Sequence, residues 1–114
     1  MAKICQMGLL LRYMEKIRRG EKKIEMRLND EKRKAIVPGD NILFVATEDP
    51  SITLLTEVVE VSSFPTFKEL YAAFPKEELG YKENETASYK DMHAIYSEER
   101  IAANGVLAIR VKVK

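Results

Sequence analysis

The hydrophobic positions near the start of the chain follow the repeat of an α-helix. Positions three or four apart are apolar at Leu10, Tyr13, Met14 and Ile17, and such spacing forms one stripe on a helix face. Glycine is favoured directly after the last helical turn. The pattern therefore predicts a helix over residues 10–19 that ends at Gly20.

After this helix the repeat changes to two residues. Ile24, Met26 and Leu28 alternate with Glu25 and Arg27, which is the pattern of a strand with one apolar face. The predicted strand covers residues 22–28 and directs its apolar side chains inward. Glu25 and Arg27 then lie together on the opposite face.

The remaining segments predict a mixture of short strands and helices. Strands are expected at residues 3–8, 42–46, 53–61 and 107–113, and the last of these directs Val113 inward. Helices are expected at residues 29–34, 66–74, 86–96 and 97–104. The hydrophobic phase changes near Thr56 and Glu57, which predicts a β-bulge or a strand that crosses a barrel corner. This order predicts an α+β fold, a small, mostly antiparallel β-barrel with inserted helices, in a single domain of residues 1–114.

Composition narrows the class of protein. Of 114 residues, 46% are hydrophobic and 32% charged, which is typical of a globular chain. The 19 lysines and arginines nearly balance 18 acidic residues, so a polybasic nucleic-acid-binding tail is excluded, although a local basic patch is not. One cysteine excludes an internal disulfide and favours a reducing compartment. Short apolar runs indicate no membrane partner, and we expect a cytoplasmic protein.

The usual catalytic and metal-binding motifs are absent from the sequence. Cys5 and His93 are the single cysteine and histidine, so no Cys/His metal site and no other cofactor is expected. The two could form a nucleophile and base pair. A buried thiol at Cys5 and a surface imidazole at His93 are the favoured interpretation.

Mixed charges follow the first helix. Lys22, Glu25 and Arg27 carry both signs within a few positions, so they can hold one another by charge-assisted hydrogen bonds in a partly buried cleft. A solvent-exposed strand face, where such pairs contribute little, is the alternative.

These residues also carry a resemblance to a known family. The segment G-E-K-K-I-E-M-R at residues 20–27, the Gly39-Asp40 turn and the segments at residues 64–70, 96–99 and 105–110 resemble the ASCH domain (activating signal cointegrator homology). The resemblance implies a PUA-like β-barrel with a cleft that binds RNA or a nucleotide, in RNA metabolism or coactivator-type regulation. It directs Lys22, Glu25 and Arg27 toward the cleft. Tyr96 either borders the cleft or is a half-buried core residue.

Three functions remain open from the sequence. The first is RNA or nucleotide binding, with contacts from Lys22, Glu25, Arg27, Lys32 and Tyr96. The second, implied by some relatives, is an enzyme: a ribonuclease, for which the sequence identifies no cleavage residues, or a small amidohydrolase that acts on a modified nucleoside such as N4-acetylcytidine.

In that hydrolase, Lys22 polarises a carbonyl and Glu25, or Glu77 or Glu78, acts as general base. Glu25 stands where those relatives have threonine, and the catalytic set is therefore incomplete. The third function is an adaptor whose charges only solubilise its surface. A concave site around Lys22, Glu25 and Arg27 favours the first two functions over the third.

Overall fold

The computed structural model describes residues 2–114. Within them the elements are β1 (Ile4–Leu9), α1 (Leu11–Arg18), β2 (Ile24–Leu28), β3 (Asn41–Ala46), β4 (Thr53–Phe64), α2 (Phe67–Ala73), a 3-10 helix (Tyr89–Ala94), α3 (Glu98–Asn104) and β5 (Val106–Val113). None of these helices has the length and apolar character that crossing a bilayer requires, a finding that applies to residues 2–114.

All five strands belong to one curled sheet with the order β1-β3-β4-β5-β2. Among these strands only the β1–β3 pair is parallel, which confirms the predicted mostly antiparallel α+β fold. The register of β4 shifts between Val58 and Glu60, close to the predicted bulge. The sheet remains open between its edge strands, β1 and β2.

Hydrophobic clusters cover both faces of the sheet. On one face, which we call the inner face, Met14 and Ile17 of α1 pack with Phe44 of β3 and Ile109 of β5. On the outer face, the apolar side chains of β2 pack under α2, the 3-10 helix and α3. The predicted alternation of β2 is confirmed: Ile24, Met26 and Leu28 are buried in the outer-face cluster. Glu25 lies on the opposite face of the strand.

Helix ends follow the predicted local signals. Gly20 has φ of 78°, a conformation that glycine adopts without strain, and α1 ends just before it. The Thr66 hydroxyl accepts a hydrogen bond from the backbone of Lys68 at the start of α2. Ser97 accepts one from the backbone of Arg100 at the start of α3.

Three expectations about local structure were wrong. No helix forms over residues 29–34, and residues 31–35 form turns instead, because Asp30 bonds the backbone and guanidinium of Arg33 and no apolar stripe anchors the segment. Only Tyr89–Ala94 of the predicted helix 86–96 is helical. Val113 is exposed because it lies at the end of β5, beyond the inner cluster.

Candidate ligand-binding site

A cavity of about 670 Å³ lies beside the opening of the sheet. Its walls are the end of β1, one side of α1, Tyr71 of α2, residues 79–85 and the 3-10 helix with the two residues that follow it. β2 supplies its floor. Four tyrosines line it, together with four cationic and three acidic side chains. These are Tyr13, Tyr71, Tyr81, Tyr96, Arg12, Lys16, Lys22, Arg27, Glu25, Glu85 and Asp91.

Glu25 is the centre of the charged floor. Its Oε2 accepts hydrogen bonds from Arg27 Nε at 2.9 Å and Nη2 at 2.6 Å. Its Oε1 accepts one from the Met26 backbone at 3.2 Å and lies 3.4 Å from Lys22 Nζ. Burial opposes the charge of Glu25, but the two cations outweigh it and hold the pKa of this carboxyl below its ordinary value. The carboxylate is therefore ionised, and both of its oxygens have partners within the protein.

Lys22 links β2, at the floor of the cavity, to the backbone of Leu79 in its wall. Its Nζ donates to the Ile24 carbonyl at 2.8 Å and the Leu79 carbonyl at 3.1 Å. Burial lowers the pKa of Lys22, and Glu25 offsets this only in part. A Cβ added at Gly80, where φ is 102°, meets Lys22 Cδ at 3.1 Å. Glycine at this position therefore lets the chain pass close over the buried lysine.

These contacts leave Lys22 and Glu25 poorly suited to the hydrolase chemistry. An ammonium group has three donors, and those of Lys22 face two carbonyls and Glu25. A carboxylate whose pKa is lowered is a weak base. The structure brings both residues to the cavity as predicted, in the geometry of a structural ion pair.

Arg27 joins Glu25 to the opposite edge of the sheet and still presents donors to the cavity. Its Nη2 donates to the Gly8 carbonyl at 2.8 Å, across the opening between β1 and β2. Burial disfavours its charge, but Glu25 more than compensates and raises the pKa of Arg27. Within residues 2–114, no acceptor bonds Arg27 Nη1. The side chain is 12% exposed and lines the cavity, so the two Nη1 hydrogens are available to a ligand.

A chain of hydroxyl groups forms the opposite wall. Tyr71 Oη and Tyr81 Oη are 2.8 Å apart, and Tyr81 donates to Asp91 Oδ2 at 2.7 Å. Burial and both hydrogen bonds raise the pKa of Tyr81. Sequence reasoning missed the roles of all three residues. The helical spacing places Tyr71 in a buried stripe, and the stretch around Tyr81 has no hydrophobic period.

The mouth of the cavity combines aromatic and basic groups. Tyr96 stacks on Phe67 at 6.1 Å between ring centroids while it lines the cavity, so both interpretations of Tyr96 apply. The exposed Arg12 guanidinium lies 4.8 Å from the Tyr13 ring centroid. Lys16 Nζ donates to the Gly80 carbonyl at 2.7 Å. Arg12, Tyr13 and Lys16 were not among the predicted site residues.

Other predicted site residues lie outside this cavity. Lys32 is exposed and does not line it. Both oxygens of Glu78 accept from Arg110, at 2.9 and 3.0 Å, and this pair lowers the pKa of Glu78. Glu77 and Glu78 line a separate pocket of about 210 Å³. Neither glutamate is brought to the cavity as a general base.

Cys5 and His93 occupy different environments. Cys5 is half-buried against the inner cluster. His93 packs on the Tyr89 ring, and its Nδ1 lies 3.7 Å from Glu98. Within residues 2–114, no three His, Cys, Asp or Glu side chains converge in a way that could hold a metal ion.

The Asp40 carboxylate accepts a hydrogen bond from the Val37 backbone, which makes Asp40 a turn-forming residue as expected.

Comparison with known proteins found a matching family model and several solved structures with a similar fold. The family model for the ASCH domain matches residues 7–114. The crystal structure of hypothetical protein PH0355 is 34% identical, with a TM-score of 0.82 over 97% of this chain and 99% of that chain.

Two further solved structures are more distant. The solution structure of protein PF0455 from Pyrococcus furiosus is 27% identical, with a TM-score of 0.69 and 96% of each chain covered. The ASCH domain from Lactobacillus crispatus is 14% identical and shares the fold, with a TM-score of 0.66 over 97% of this chain and 79% of that chain. The search of curated proteins found no match.

Proposed function

Because this chain belongs to the ASCH domain family, we propose that it binds RNA by holding one nucleotide of a single strand in the cavity. The fold of this family is broadly RNA-binding-like. Single-stranded RNA is commonly bound by stacking splayed bases on aromatic rings and by hydrogen bonds to base edges. The cavity offers both kinds of group.

The observation that carries the proposal is the state of Arg27. Its guanidinium is fixed by Glu25 on one side, and its Nη1 hydrogens have no acceptor within residues 2–114. A donor pair that is already oriented loses little entropy when it binds a ligand oxygen. In a cavity lined by four tyrosines, this donor pair suits a planar base with an acceptor on its edge.

The basic residues at the mouth complete the arrangement. Arg12 is exposed and Lys16 half-buried, and both line the cavity beside Tyr13. Phosphate contacts by such side chains supply affinity without sequence specificity. We assign phosphate contacts to Arg12 and Lys16 and base contacts to Arg27 and the tyrosines.

Lys22 and Glu25 take a supporting role in this proposal. Their hydrogen-bonding groups are already used within the protein, so they orient Arg27 and the wall rather than contact RNA. No contact supports a second function as an amidohydrolase, because that reaction needs a free donor at Lys22 and a general base at Glu25, Glu77 or Glu78. Lys22 and Glu25 are already bonded within the protein, and the other two glutamates lie outside the cavity.

A titration of the protein against a short single-stranded RNA of mixed sequence tests the proposal. We expect saturable binding that weakens with salt. The Arg12→Ala variant should bind more weakly and lose about 0.7 from the slope of log K against log salt, the value for one phosphate contact on a single strand. Fluorescence anisotropy at several salt concentrations measures both quantities.

Lys32→Ala is the matched control, because it removes one exposed cation that does not line the cavity. Its affinity and salt slope should equal those of the wild type. The proposal fails if no binding is detected at low salt, or if Lys32→Ala weakens binding as much as Arg12→Ala.

A further inference from the structure

The hydroxyl chain of Tyr71, Tyr81 and Asp91 has a fixed direction. As a carboxylate, Asp91 can only accept a hydrogen bond, so the single hydroxyl hydrogen of Tyr81 goes to Asp91 Oδ2. Tyr81 then has no hydrogen left for Tyr71. The 2.8 Å contact between the two hydroxyls must therefore use the hydrogen of Tyr71.

This direction makes the Tyr71 oxygen an acceptor toward the cavity. Its own hydrogen is committed to Tyr81, and no group within residues 2–114 donates to it. Tyr71 lines the cavity, so a ligand atom that approaches this oxygen must bring a hydrogen of its own. A ligand carbonyl at the same place would set two acceptors against each other and leave both unpaired, which costs binding energy.

We propose that the Tyr71–Tyr81–Asp91 chain makes the cavity select ligand groups that donate a hydrogen bond, and so favours nucleobases with an exocyclic amine. This inference rests on the proposed RNA binding and specifies the class of base. Cytosine carries an amine donor at the position where uracil carries a carbonyl acceptor. The two bases are otherwise similar in size and shape. Asp91 is a positioning residue in this proposal, because it works through Tyr81 and Tyr71.

The test compares the affinities of oligo(C) and oligo(U) of equal length. The wild type should bind oligo(C) more tightly by roughly threefold to tenfold, the ratio that corresponds to the net strength of one ordinary hydrogen bond. In Asp91→Asn the side-chain amide can donate to Tyr81. The chain can then reverse and present a hydroxyl hydrogen to the ligand. The ratio should fall to about one.

Glu85→Gln is the matched control for Asp91→Asn. Glu85 is another exposed carboxylate that lines the cavity, and its side chain accepts from the Lys82 backbone rather than from the tyrosines. Both variants remove one negative charge, so each should raise the affinity for both oligonucleotides alike. Only Asp91→Asn should change the ratio. Thermal unfolding of each variant verifies that it is folded.

Tyr81→Phe provides a second variant that keeps the ring and removes the hydroxyl. It frees the Tyr71 hydrogen, and the ratio should again fall. Equal binding of the two oligonucleotides by the wild type, or a preference unchanged in Asp91→Asn, overturns this inference alone. Failure to bind either oligonucleotide overturns the proposed function and this inference with it.

Discussion

Two ion pairs in adjoining segments of the chain have the same spacing and opposite surroundings. Lys22 pairs with Glu25 and Lys34 pairs with Glu31, each three residues apart. The first pair is nearly inaccessible, with side chains 4% and 7% exposed, whereas those of the second are 55% and 89% exposed. The exposed pair has the shorter separation of charged atoms, 2.6 Å against 3.4 Å.

The difference teaches that burial, rather than distance, decides what such a pair contributes. In water, the attraction between the charges of Glu31 and Lys34 is screened, and pairs of this kind contribute roughly 0–1 kcal/mol. In the interior, a charge that loses its partner has no water to replace it. Glu25 has two cationic partners in the interior, so its removal affects both of them.

The largest expected effect follows from removing Glu25. In Glu25→Ala the buried Lys22 and Arg27 lose their common partner, and we expect the free energy of unfolding to fall by about 3–5 kcal/mol. Urea denaturation followed by circular dichroism measures the loss.

Glu31→Ala is the control for Glu25→Ala, because it removes the carboxylate of the exposed pair. Its free energy of unfolding should stay within about 0.5 kcal/mol of the wild type. A loss in Glu25→Ala that is as small as the loss in Glu31→Ala would contradict the comparison.

A second prediction sharpens the comparison at the chain segment that covers Lys22. Gly80 and Gly39 have similar φ values, 102° and 95°, but a Cβ at Gly39 meets no atom within 4 Å, whereas one at Gly80 meets Lys22. Gly39→Ala should cost about 1–2 kcal/mol of unfolding free energy from backbone strain. Gly80→Ala should cost a further ~1 kcal/mol or more, because the buried lysine has little room to move.

The same denaturation experiment compares the two glycine variants. Equal losses would show that the segment over Lys22 is loosely packed, and that close passage of the chain at Gly80 does not explain the burial of the lysine.

A third prediction concerns acid. Because the pKa of Glu25 is lowered in the folded state, the unfolded chain takes up its proton first as the pH falls. The stabilisation by ionised Glu25 is therefore complete above the ordinary glutamate pKa of about 4.3 and is lost as the pH falls toward the lower, folded-state value. Glu25→Gln lacks this contribution. The difference in unfolding free energy between wild type and variant should shrink on acidification, and a constant difference would refute it.

Sequence patterns predicted the parts of the fold that depend on neighbours in the chain. The alternation of β2 placed Glu25 and Arg27 on one face, and the glycine and hydroxyl residues at helix ends predicted the limits of α1 and α3. These signals act over a few residues, so they survive without knowledge of the tertiary structure.

The rest of the site depends on contacts between distant segments. The burial of Lys22 depends on the backbone of Leu79 and Gly80. Leu79 lies 57 residues after Lys22 in the chain. Charge alone also suggested Lys32, which the fold leaves in solvent. Tyr81 lies in a stretch without hydrophobic period and Asp91 in a separate predicted helix, residues 86–96, so only the folded chain brings their side chains together.

The hydrogen bond from Arg27 to Gly8 has a consequence for self-association of this protein. β1 and β2 are the two edges of the sheet, and bare edges can recruit a strand from another chain and seed aggregates. Arg27 belongs to β2, and its guanidinium donates a hydrogen bond to the Gly8 carbonyl of β1. Arg27 thus links the two edge strands of the open sheet, and we expect this link to disfavour pairing of either edge with a strand from another copy of the chain.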